Sequence, residues 1–402
     1  MSSDLSGAHP SARRAPSAFR AFPVFLAFLA MGFGDAVGPF VGLAKQQFDL
    51  SNFAAQLIAF MGFIMFGILS VPMGIYQDKR GKKFILLLGL AVMLASMLIP
   101  TVLGLTTFPV FLLTVLLLGA GATTLQVAGN PLMRDVSAPA KYSRNLSLAQ
   151  FVKAIGSLSG PLIPVIAANA WGLDWKIVFP VYAAAIAVAL AAGMTLRVES
   201  AAPSARPATL GSCLALLRNG YVSMMVLAIF LYVGAEVSVS SGAPLYLRER
   251  FGVDISRIGL LGTGLFFAAL TIGRFSGGVI LNWLKPKVFF VITSILSVAG
   301  LLGLFVPNGT LAVASFFVAG LGFANIFPLV FSITIDRMPE HTNALSGLMV
   351  MAIVGGAFLP PLMGWVADAA GSVQSGFVVP LAAVAYIVWV SLVSGRKPQA
   401  AA

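Results

Sequence analysis

Long apolar stretches recur along almost the whole chain and are separated by short polar segments. Those long enough to cross a hydrocarbon core of about 30 Å, at about 20 residues per helix, fall into two sets of six. The first set covers residues 21–43, 52–76, 84–105, 108–132, 146–168 and 175–196. The second set covers residues 221–247, 257–283, 287–305, 311–336, 343–370 and 377–394. The pattern predicts an all-α membrane protein with twelve transmembrane helices, which we number spans 1 to 12.

Between the two sets lies a connector rich in Pro, Ala and Ser, without a sustained apolar period. Such a composition is typical of a linker. The sequence therefore predicts two six-helix halves, flanked by short polar tails. The predicted boundaries are a tail at 1–20, a first half at 21–196, a linker at 197–220, a second half at 221–394 and a tail at 395–402.

The two predicted halves resemble each other at spans 5 and 11. The segments NLSLAQFVKAIGSLSGP, from residue 145, and ALSGLMVMAIVGGAFLP, from residue 344, match at a constant offset. The matched pairs are Leu146 with Leu345, Ser147 with Ser346, Gly156 with Gly355, and Pro161 with Pro360. Parallel repeats of six helices are common among secondary transporters, which bind substrate between the halves near the middle of the bilayer. Chance is the alternative, because small residues and proline recur in any polytopic protein.

Composition and charge agree with a membrane protein. Of the 402 residues, 59% are hydrophobic and 9% are charged, whereas soluble domains carry about 25% charged residues. The net charge of +12 is spread over many short loops, which argues against a nucleic-acid-binding patch. With both termini in the cytoplasm, 18 of the 25 Lys and Arg residues lie on the cytoplasmic side and 5 on the outer side. The positive-inside rule therefore predicts a multi-pass protein of the cell (inner) membrane with both termini cytoplasmic.

Four charged residues fall inside predicted spans, where each costs about 2.5–3.5 kcal/mol to insert. Asp35 lies in span 1 between glycines and before Pro39, where a break in the helix can expose backbone groups to a cavity. Glu236 is in the middle of span 7, Lys153 is about two turns into span 5, and Arg274 is in the cytoplasmic half of span 8. Their cost makes all four candidates for function.

Polar side chains also form stripes on two spans. Gln150, Lys153 and Ser157 share one face of span 5, and Gln126 and Asn130 share one face of span 4 at a similar depth. Amides and acids satisfy sugar hydroxyls as both donors and acceptors, and aromatic faces cover the apolar side of a sugar. The stripes predict a site for a neutral polyhydroxylated ligand. The candidate binding residues are Gln126, Asn130, Gln150, Lys153, Tyr232, Glu236 and Asn325, with Phe151 and Phe327 nearby.

Simpler explanations exist for these residues. The amides of spans 4 and 5 can bridge helices for structural reasons alone, at about 0.6 kcal/mol each. Lys153 can extend to the membrane interface, and Arg274 can belong to a cytoplasmic gate instead of the substrate site. Asp35 or Glu236 can form a structural ion pair with Lys153.

The predicted loop between spans 2 and 3 reads GIYQDKRGKK, residues 74–83. Gly74 would permit close helix approach, Asp78 can sit at the positive N-terminus of a neighbouring helix, and the basic residues can hold the loop at the anionic cytoplasmic interface. Such a loop can stabilise one conformation and release it in the other. The alternative is a basic loop that only sets topology. The candidate gating residues are Gly74, Asp78, Arg80, Lys82, Lys83 and Arg274.

This loop resembles the signature of the major facilitator superfamily, Gly-x-x-x-Asp-Arg/Lys-x-Gly-Arg/Lys-Arg/Lys. Further stretches, over nearly the whole chain, resemble the L-fucose:proton symporter (sugar permease) family within it. They are LSNFAAQLIAF, GNP at 129–131, NLSLAQ at 145–150, FLYVGAE at 230–236, IGRFSG at 272–277, FPLVFS at 327–332 and MVMAIVGGAFLPPLMGWVADAAG at 349–371. The resemblance implies the major facilitator fold and sugar uptake coupled to a cation by alternating access.

The resemblance also assigns individual positions. The family's span 1 carboxylate matches Asp35, although the spacing that follows it is two residues longer here, and the family's span 5 glutamine matches Gln150. The span 4 acid that serves proton coupling falls on Gln126, and a span 5 asparagine falls on Lys153. Because span 4 is neutral here, cation coupling would have to use Asp35, Glu236 or both.

Together these features predict a secondary active transporter that imports a monosaccharide, coupled to a proton or sodium ion. A sugar uniporter and a sugar-acid transporter are the alternatives, because Lys153 could remove the coupling or select an anionic sugar. A multidrug exporter of the same superfamily fits the amide-rich stripes less well, and a receptor would need a sizeable extramembrane domain. We expect a monomer in the bilayer that is not an enzyme, has no cofactor apart from a coupling ion, and binds no nucleic acid.

Overall fold

The chain folds almost entirely into long apolar helices. The structure, a computed structural model, describes residues 18–136, 142–196, 210–253, 261–338 and 341–394. Most of the two predicted tails and residues 197–209 of the predicted linker lie outside these ranges. Within them, eleven helices are long and apolar enough to cross a membrane, and a bent pair of helices makes the twelfth span. The predicted fold class is confirmed.

The helices follow the predicted spans closely. The first half contains Ala18–Asp35 and Val37–Phe48 (span 1), Asn52–Arg80 (span 2), Lys82–Leu103 (span 3), Phe108–Val136 (span 4), Tyr142–Trp171 (span 5), and the turn Trp175–Ile177 with Val178–Thr195 (span 6). The second half contains Gly220–Phe251 (span 7), Leu261–Ile280 (span 8), Pro286–Gly303 (span 9), Gly309–Phe323 and Ile326–Arg337 (span 10), Thr342–Met351 and Gly355–Ala370 (span 11), and Val373–Gly376 with Val378–Val393 (span 12). The predicted linker contains a short helix, Leu210–Leu216, that the sequence pattern did not predict.

Spans 1, 10 and 11 are interrupted away from their ends. Span 1 bends by 44° at the break after Asp35, where the sequence predicted it. Span 10 breaks at Ala324 and Asn325, and span 11 contains a 3-10 turn at Ala352–Val354. Breaks of this kind occur at membrane depth only where protein or a cavity satisfies the freed backbone groups. All three therefore lie against the interior of the bundle.

Glycines on spans 5 and 11 bring equivalent helices together in the two halves. A Cβ atom on Gly156 of span 5 would lie 2.3 Å from the carbonyl oxygen of Leu29 in span 1. A Cβ atom on Gly355 of span 11 would lie 1.8 Å from the carbonyl oxygen of Phe230 in span 7. Because Gly156 and Gly355 are one of the matched sequence pairs, the repeat extends to packing and is more than a chance likeness.

Among the described residues, the two halves meet mainly along three pairs of spans. The second helix of span 1 packs on span 7, span 2 packs on span 11, and span 5 packs on span 8. Span 2 begins and span 11 ends at the same face of the bundle, so the two run antiparallel. Span 1 begins and span 12 ends at the face of the bundle that holds Gly81, between spans 2 and 3, and we call this face the terminal face. The other face, which holds Asn52 and Asp368, is the opposite face.

Candidate substrate site

Asp35 is paired with Lys153 inside the first half. The Lys153 ammonium lies 3.0 Å from Asp35 Oδ2, and Ser157 Oγ donates to the same oxygen at 3.3 Å. The close approach of spans 1 and 5 produces this pair, because a Cβ on Gly32 would lie 2.1 Å from the Lys153 carbonyl oxygen. The Lys153 side chain is only 10% exposed, so it does not extend to the membrane interface. Of the explanations left open for Lys153, the structure shows the ion pair.

Glu236 is paired with Arg274 inside the second half. Arg274 Nη2 lies 3.7 Å from Glu236 Oε1, and both side chains are largely buried. Arg274 therefore lies with the carboxylate of span 7, away from the basic loop at Gly81. This contact places Arg274 beside Glu236 in the interior, and its predicted part in gating stays a prediction.

The two ion pairs form one electrostatic cluster between the halves. Glu236 lies within electrostatic reach of Asp35 and Lys153 as well as of Arg274. We call these four residues the central charge cluster. Two carboxylates and two cations give it a net charge of zero, and each half contributes one ion pair. When the halves move relative to each other, each pair can stay intact within its own half, so the motion leaves no buried charge without its partner.

The structure describes the side chains of two of the three amides predicted on spans 4 and 5. Gln126 and Gln150 are half-buried, and neither side chain hydrogen-bonds to another described residue. An amide that serves only to bridge helices would have such a partner. Their positions therefore favour binding of a ligand. The Asn130 side chain lies outside the described part of the chain.

Asn325 lies at the break in span 10 and bonds to a neighbouring helix. It is 5% exposed, and its Nδ2 donates to the Gly273 carbonyl oxygen of span 8 at 2.8 Å. This bond spans the break in span 10 and joins that break to span 8. The amide nitrogen is therefore engaged by the helix backbone, and the predicted sugar contact by Asn325 stays a prediction.

Tyr232 contributes an aromatic wall beside Glu236. Its ring is 1% exposed and packs against Phe323 and Phe327, at ring-centre distances of 5.8 and 6.5 Å. Its hydroxyl lies beside the Glu236 carboxylate and the Arg274 guanidinium, but it forms no hydrogen bond of good geometry with a described residue. On spans 5 and 8, Phe151 and Phe275 face each other across the halves at 6.3 Å.

The loop at Gly81 is tied to its own half. Lys82 Nζ lies 2.6 Å from Asp135 Oδ2 at the end of span 4, and Lys83 Nζ donates to the Met194 carbonyl oxygen of span 6 at 2.7 Å. Arg80 is exposed at the end of span 2. The basic residues therefore fix the loop against spans 4 and 6, and Asp135 is a partner that the sequence analysis missed.

Gly74 does not make the close helix contact that the sequence predicted. A Cβ atom built on it would meet no atom within 4 Å, so no close helix approach depends on Gly74 in this conformation. Gly81, by contrast, has a φ of +86°, which favours glycine and ends span 2. The Asp78 side chain lies outside the described part of the chain.

Twelve spans in two repeated halves, with polar and charged side chains between them, define a secondary transporter fold. The model of the Major Facilitator Superfamily matches residues 24–353. The chain is 26% identical over 368 residues to the glucose/galactose transporter of Brucella abortus, covering 88% of each chain. It is 24% identical over 376 residues to the L-fucose-proton symporter of Escherichia coli, covering 85% of each chain.

A solved structure agrees with the sequence comparison. The crystal structure of the Escherichia coli fucose:proton symporter superimposes with a TM-score of 0.69 at 20% identity, covering 95% of this chain and 100% of that chain. At this identity the superposition shows the fold alone. The chain belongs to the major facilitator superfamily, as the family match over residues 24–353 shows.

Proposed function

We propose that this protein imports a monosaccharide across the cell (inner) membrane by alternating access. The relatives at 26% and 24% identity are named as a glucose/galactose transporter and an L-fucose-proton symporter. The observation that carries the proposal is a pair of half-buried amides, Gln126 and Gln150, that bond to no other described residue, with Gln150 one helical turn before Lys153 of the central charge cluster. Amides without protein partners at this depth suit sugar hydroxyls.

The sugar would contact Gln126, Asn130, Gln150, Tyr232 and Glu236. A neutral sugar fits better than a sugar acid, since the two cations of the central charge cluster already face carboxylates. A uronate would have to break one of these ion pairs or remain without a cationic partner. The aromatic rings of Tyr232 and Phe327 would cover the apolar face of the sugar ring.

Coupling to a proton or a sodium ion would take place at Asp35, with Glu236 contacting both sugar and ion. Asp35 lies at the break of span 1, and 23% of its side chain is exposed. A cation that binds Asp35 would displace Lys153 and change the charge of the first half. Such a ligand shifts the balance between inward and outward states only if it binds one of them better.

Uniport is the second candidate, and one observation favours it. Both central carboxylates already have a cationic partner within 4.0 Å from their own half. The protein itself then supplies the positive charge beside each carboxylate, so no external cation is needed to neutralise it. In a uniporter, Lys153 would serve as a permanent substitute for the coupling ion.

We further propose that the terminal face is cytoplasmic and that a monomer is the transporting unit. The distribution of Lys and Arg supports this orientation. The opposite face, with Asn52 and Asp368, is then the outer face.

Uptake into proteoliposomes tests the proposed function. The purified protein should accumulate labelled glucose, galactose or fucose, and an imposed proton or sodium gradient should raise the accumulation if Asp35 is coupled. Equilibration without accumulation, insensitive to either gradient, would select uniport. Transport of glucuronate or of cationic dyes, with no transport of neutral sugars, would contradict the proposal.

Gln150→Ala supplies the site control for this assay. It should weaken sugar binding by about 1–3 kcal/mol, because it leaves a sugar hydroxyl without its partner. Asn325→Ala is the matched control, since Asn325 is bound to the span 8 backbone; it should lower thermal stability without a selective loss of sugar affinity. Unchanged affinity in Gln150→Ala would remove this amide from the site.

A further inference from the structure

Three hydrogen bonds join the two halves at the opposite face. Asp368, near the end of span 11, accepts the Asn52 backbone N–H at 3.1 Å and the Asn52 side-chain amide at 2.6 Å on Oδ1. Its Oδ2 accepts the Phe53 backbone N–H at 2.8 Å. A carboxylate of the second half thus caps the first turn of a helix in the first half. We call this contact the Asp368 cap.

A helix N-terminus is a favourable place for this carboxylate. The first four backbone N–H groups of a helix have no partner within the helix, and the helix dipole places partial positive charge there. Ser51, the residue before span 2, satisfies only one of these groups, the Ala54 N–H at 3.1 Å. Asp368 satisfies two more from across the halves, so closing this face completes the cap of span 2.

Further polar contacts lie beside and below the cap. Lys45, at the end of span 1, donates to Asn52 Oδ1 and lies within electrostatic reach of Asp368 and Glu249. One turn further into span 2, the fully buried Gln56 accepts a hydrogen bond from Ser241 Oγ of span 7 at 2.9 Å. The halves are therefore held together from the surface down to Gln56.

The sequence around Asp368 repeats the pattern of the loop at Gly81. Gly364, Asp368 and Gly371 have the spacing Gly-x-x-x-Asp-x-x-Gly, and so do Gly74, Asp78 and Gly81. Both final glycines have positive φ, +65° at Gly371 and +86° at Gly81, and both follow the end of a helix. Because spans 2 and 11 are antiparallel, the same pattern lies at opposite faces of the membrane.

We propose that the Asp368 cap is a latch that holds the outer face closed and must break when the transporter opens outward. The outward and inward designations rest on the orientation given under the proposed function. Opening separates span 2 from span 11 and exposes the N-terminus of span 2 to water. Loss of the carboxylate removes a stabilising contact from the closed state alone, so the population of the outward-open state rises.

The rate at which a buried cysteine is labelled reports the population of the outward-open state, and the measurement needs no sugar. Ser241→Cys places a thiol at a fully buried position between the halves, in a background where Cys213, the single native cysteine, is replaced by Ser. A membrane-impermeant maleimide is added from the outer side of intact cells, and its rate of labelling is compared among variants. Full labelling in denatured protein sets the scale.

Asp368→Ala should raise the labelling rate about fivefold, the change expected for loss of one helix cap. Asp368→Asn, which keeps one carbonyl acceptor without the charge, should give an intermediate rate. Asp174→Ala is the matched control, because Asp174 lies on the same face and accepts the Lys176 backbone N–H at 2.9 Å within its own half. It should label at the parent rate.

Two results would overturn the latch. One is a labelling rate in Asp368→Ala equal to that of the parent, and the other is an equal increase in Asp174→Ala, which would point to surface charge in general. The measurement requires no transported substrate. Failure of sugar uptake would therefore count against the proposed function and leave the latch standing.

Discussion

At the scale of single residues, each buried charge in the described part of the interior is paired with an opposite charge from the same half. Lys153 Nζ lies 3.0 Å from Asp35, and Arg274 lies 3.7 Å from Glu236. Breaking a buried ion pair from one side costs roughly 3–5 kcal/mol, because the remaining charge has no partner, whereas removing both partners is often neutral. The four residues can therefore be tested as two independent pairs.

Lys153→Met should lower the free energy of unfolding by about 1–3 kcal/mol, less than for a fully buried pair, since Asp35 retains 23% exposure. The double variant Asp35→Asn with Lys153→Met should recover most of that loss. Thermal shift in detergent measures both. A double variant no more stable than the single one would show that the two residues do not act as a pair.

Removing the Tyr232 hydroxyl distinguishes a role of this residue in packing from a role in sugar binding. In this conformation the hydroxyl forms no hydrogen bond of good geometry with a described residue, although Glu236 and Arg274 lie beside it. Tyr232→Phe should therefore lower the free energy of unfolding by less than about 1 kcal/mol. If the hydroxyl contacts sugar, the same variant should weaken sugar binding by about 1 kcal/mol, which calorimetry would detect.

Tyr246→Phe provides the control for this prediction. The Tyr246 hydroxyl donates to the Leu304 carbonyl oxygen at 2.6 Å, and Tyr246 lies about 15 Å along span 7 from Glu236. Its loss should lower stability by about 1 kcal/mol and leave sugar affinity unchanged. Wild-type affinity in Tyr232→Phe would make Tyr232 a packing residue.

The sequence predicted which polar residues are buried but not how they pair. Burial follows from local hydropathy, so Asp35, Lys153, Glu236 and Arg274 could be recognised at once. Pairing depends on how helices far apart in the chain pack. Both Glu236 with Lys153 and Arg274 with the basic loop therefore remained reasonable until the contacts were known.

At the scale of helices, close packing depends on a few glycines. A Cβ on Gly156 would overlap backbone atoms of span 1, which cannot move aside as a flexible side chain can. Gly156→Val should therefore destabilise the protein by about 1–3 kcal/mol or more and reduce the folded yield. It would also separate Lys153 from Asp35, because both lie within one turn of that contact.

Gly74→Ala is the control for this prediction, since nothing lies within 4 Å of its Cβ position. It should leave stability unchanged or raise it by up to about 1 kcal/mol through helix propensity. Size-exclusion profiles and thermal shifts compare the folded yield and the stability of the two variants. A Gly74→Ala variant that unfolds as readily as Gly156→Val would show that Gly74 makes a close contact in another conformation.

Span boundaries were largely predictable, because hydropathy changes sharply at the polar loops. The break in span 1 was also predictable from Asp35, its flanking glycines and Pro39. The breaks at Asn325 and Ala352–Val354 were not, since the apolar run continues through both. Asn325 shows the consequence: its amide nitrogen donates to the Gly273 carbonyl oxygen of span 8, a contact that the sequence pattern did not predict.

At the scale of the whole molecule, the two halves are built as equivalent units that meet mainly at three pairs of spans. Each half carries its own ion pair, and polar contacts such as Asp368 with Asn52 join the halves at one face. A rocking motion of the halves can therefore open one face without separating the buried charges. The sequence repeat predicted the two halves, but the contact at Asp368 required the antiparallel arrangement of spans 2 and 11.

The central claim is that the carboxylates between the halves carry transport, with Asp35 serving the cation and Glu236 serving the sugar. Counterflow of labelled sugar in proteoliposomes requires only alternation with sugar bound, whereas concentrative uptake also requires coupling. Measuring both in Asp35→Asn and Glu236→Gln tests the claim most directly. We predict that Asp35→Asn loses concentrative uptake and keeps counterflow, while Glu236→Gln loses both. Concentrative uptake that survives in Asp35→Asn, or counterflow that survives in Glu236→Gln, would contradict it.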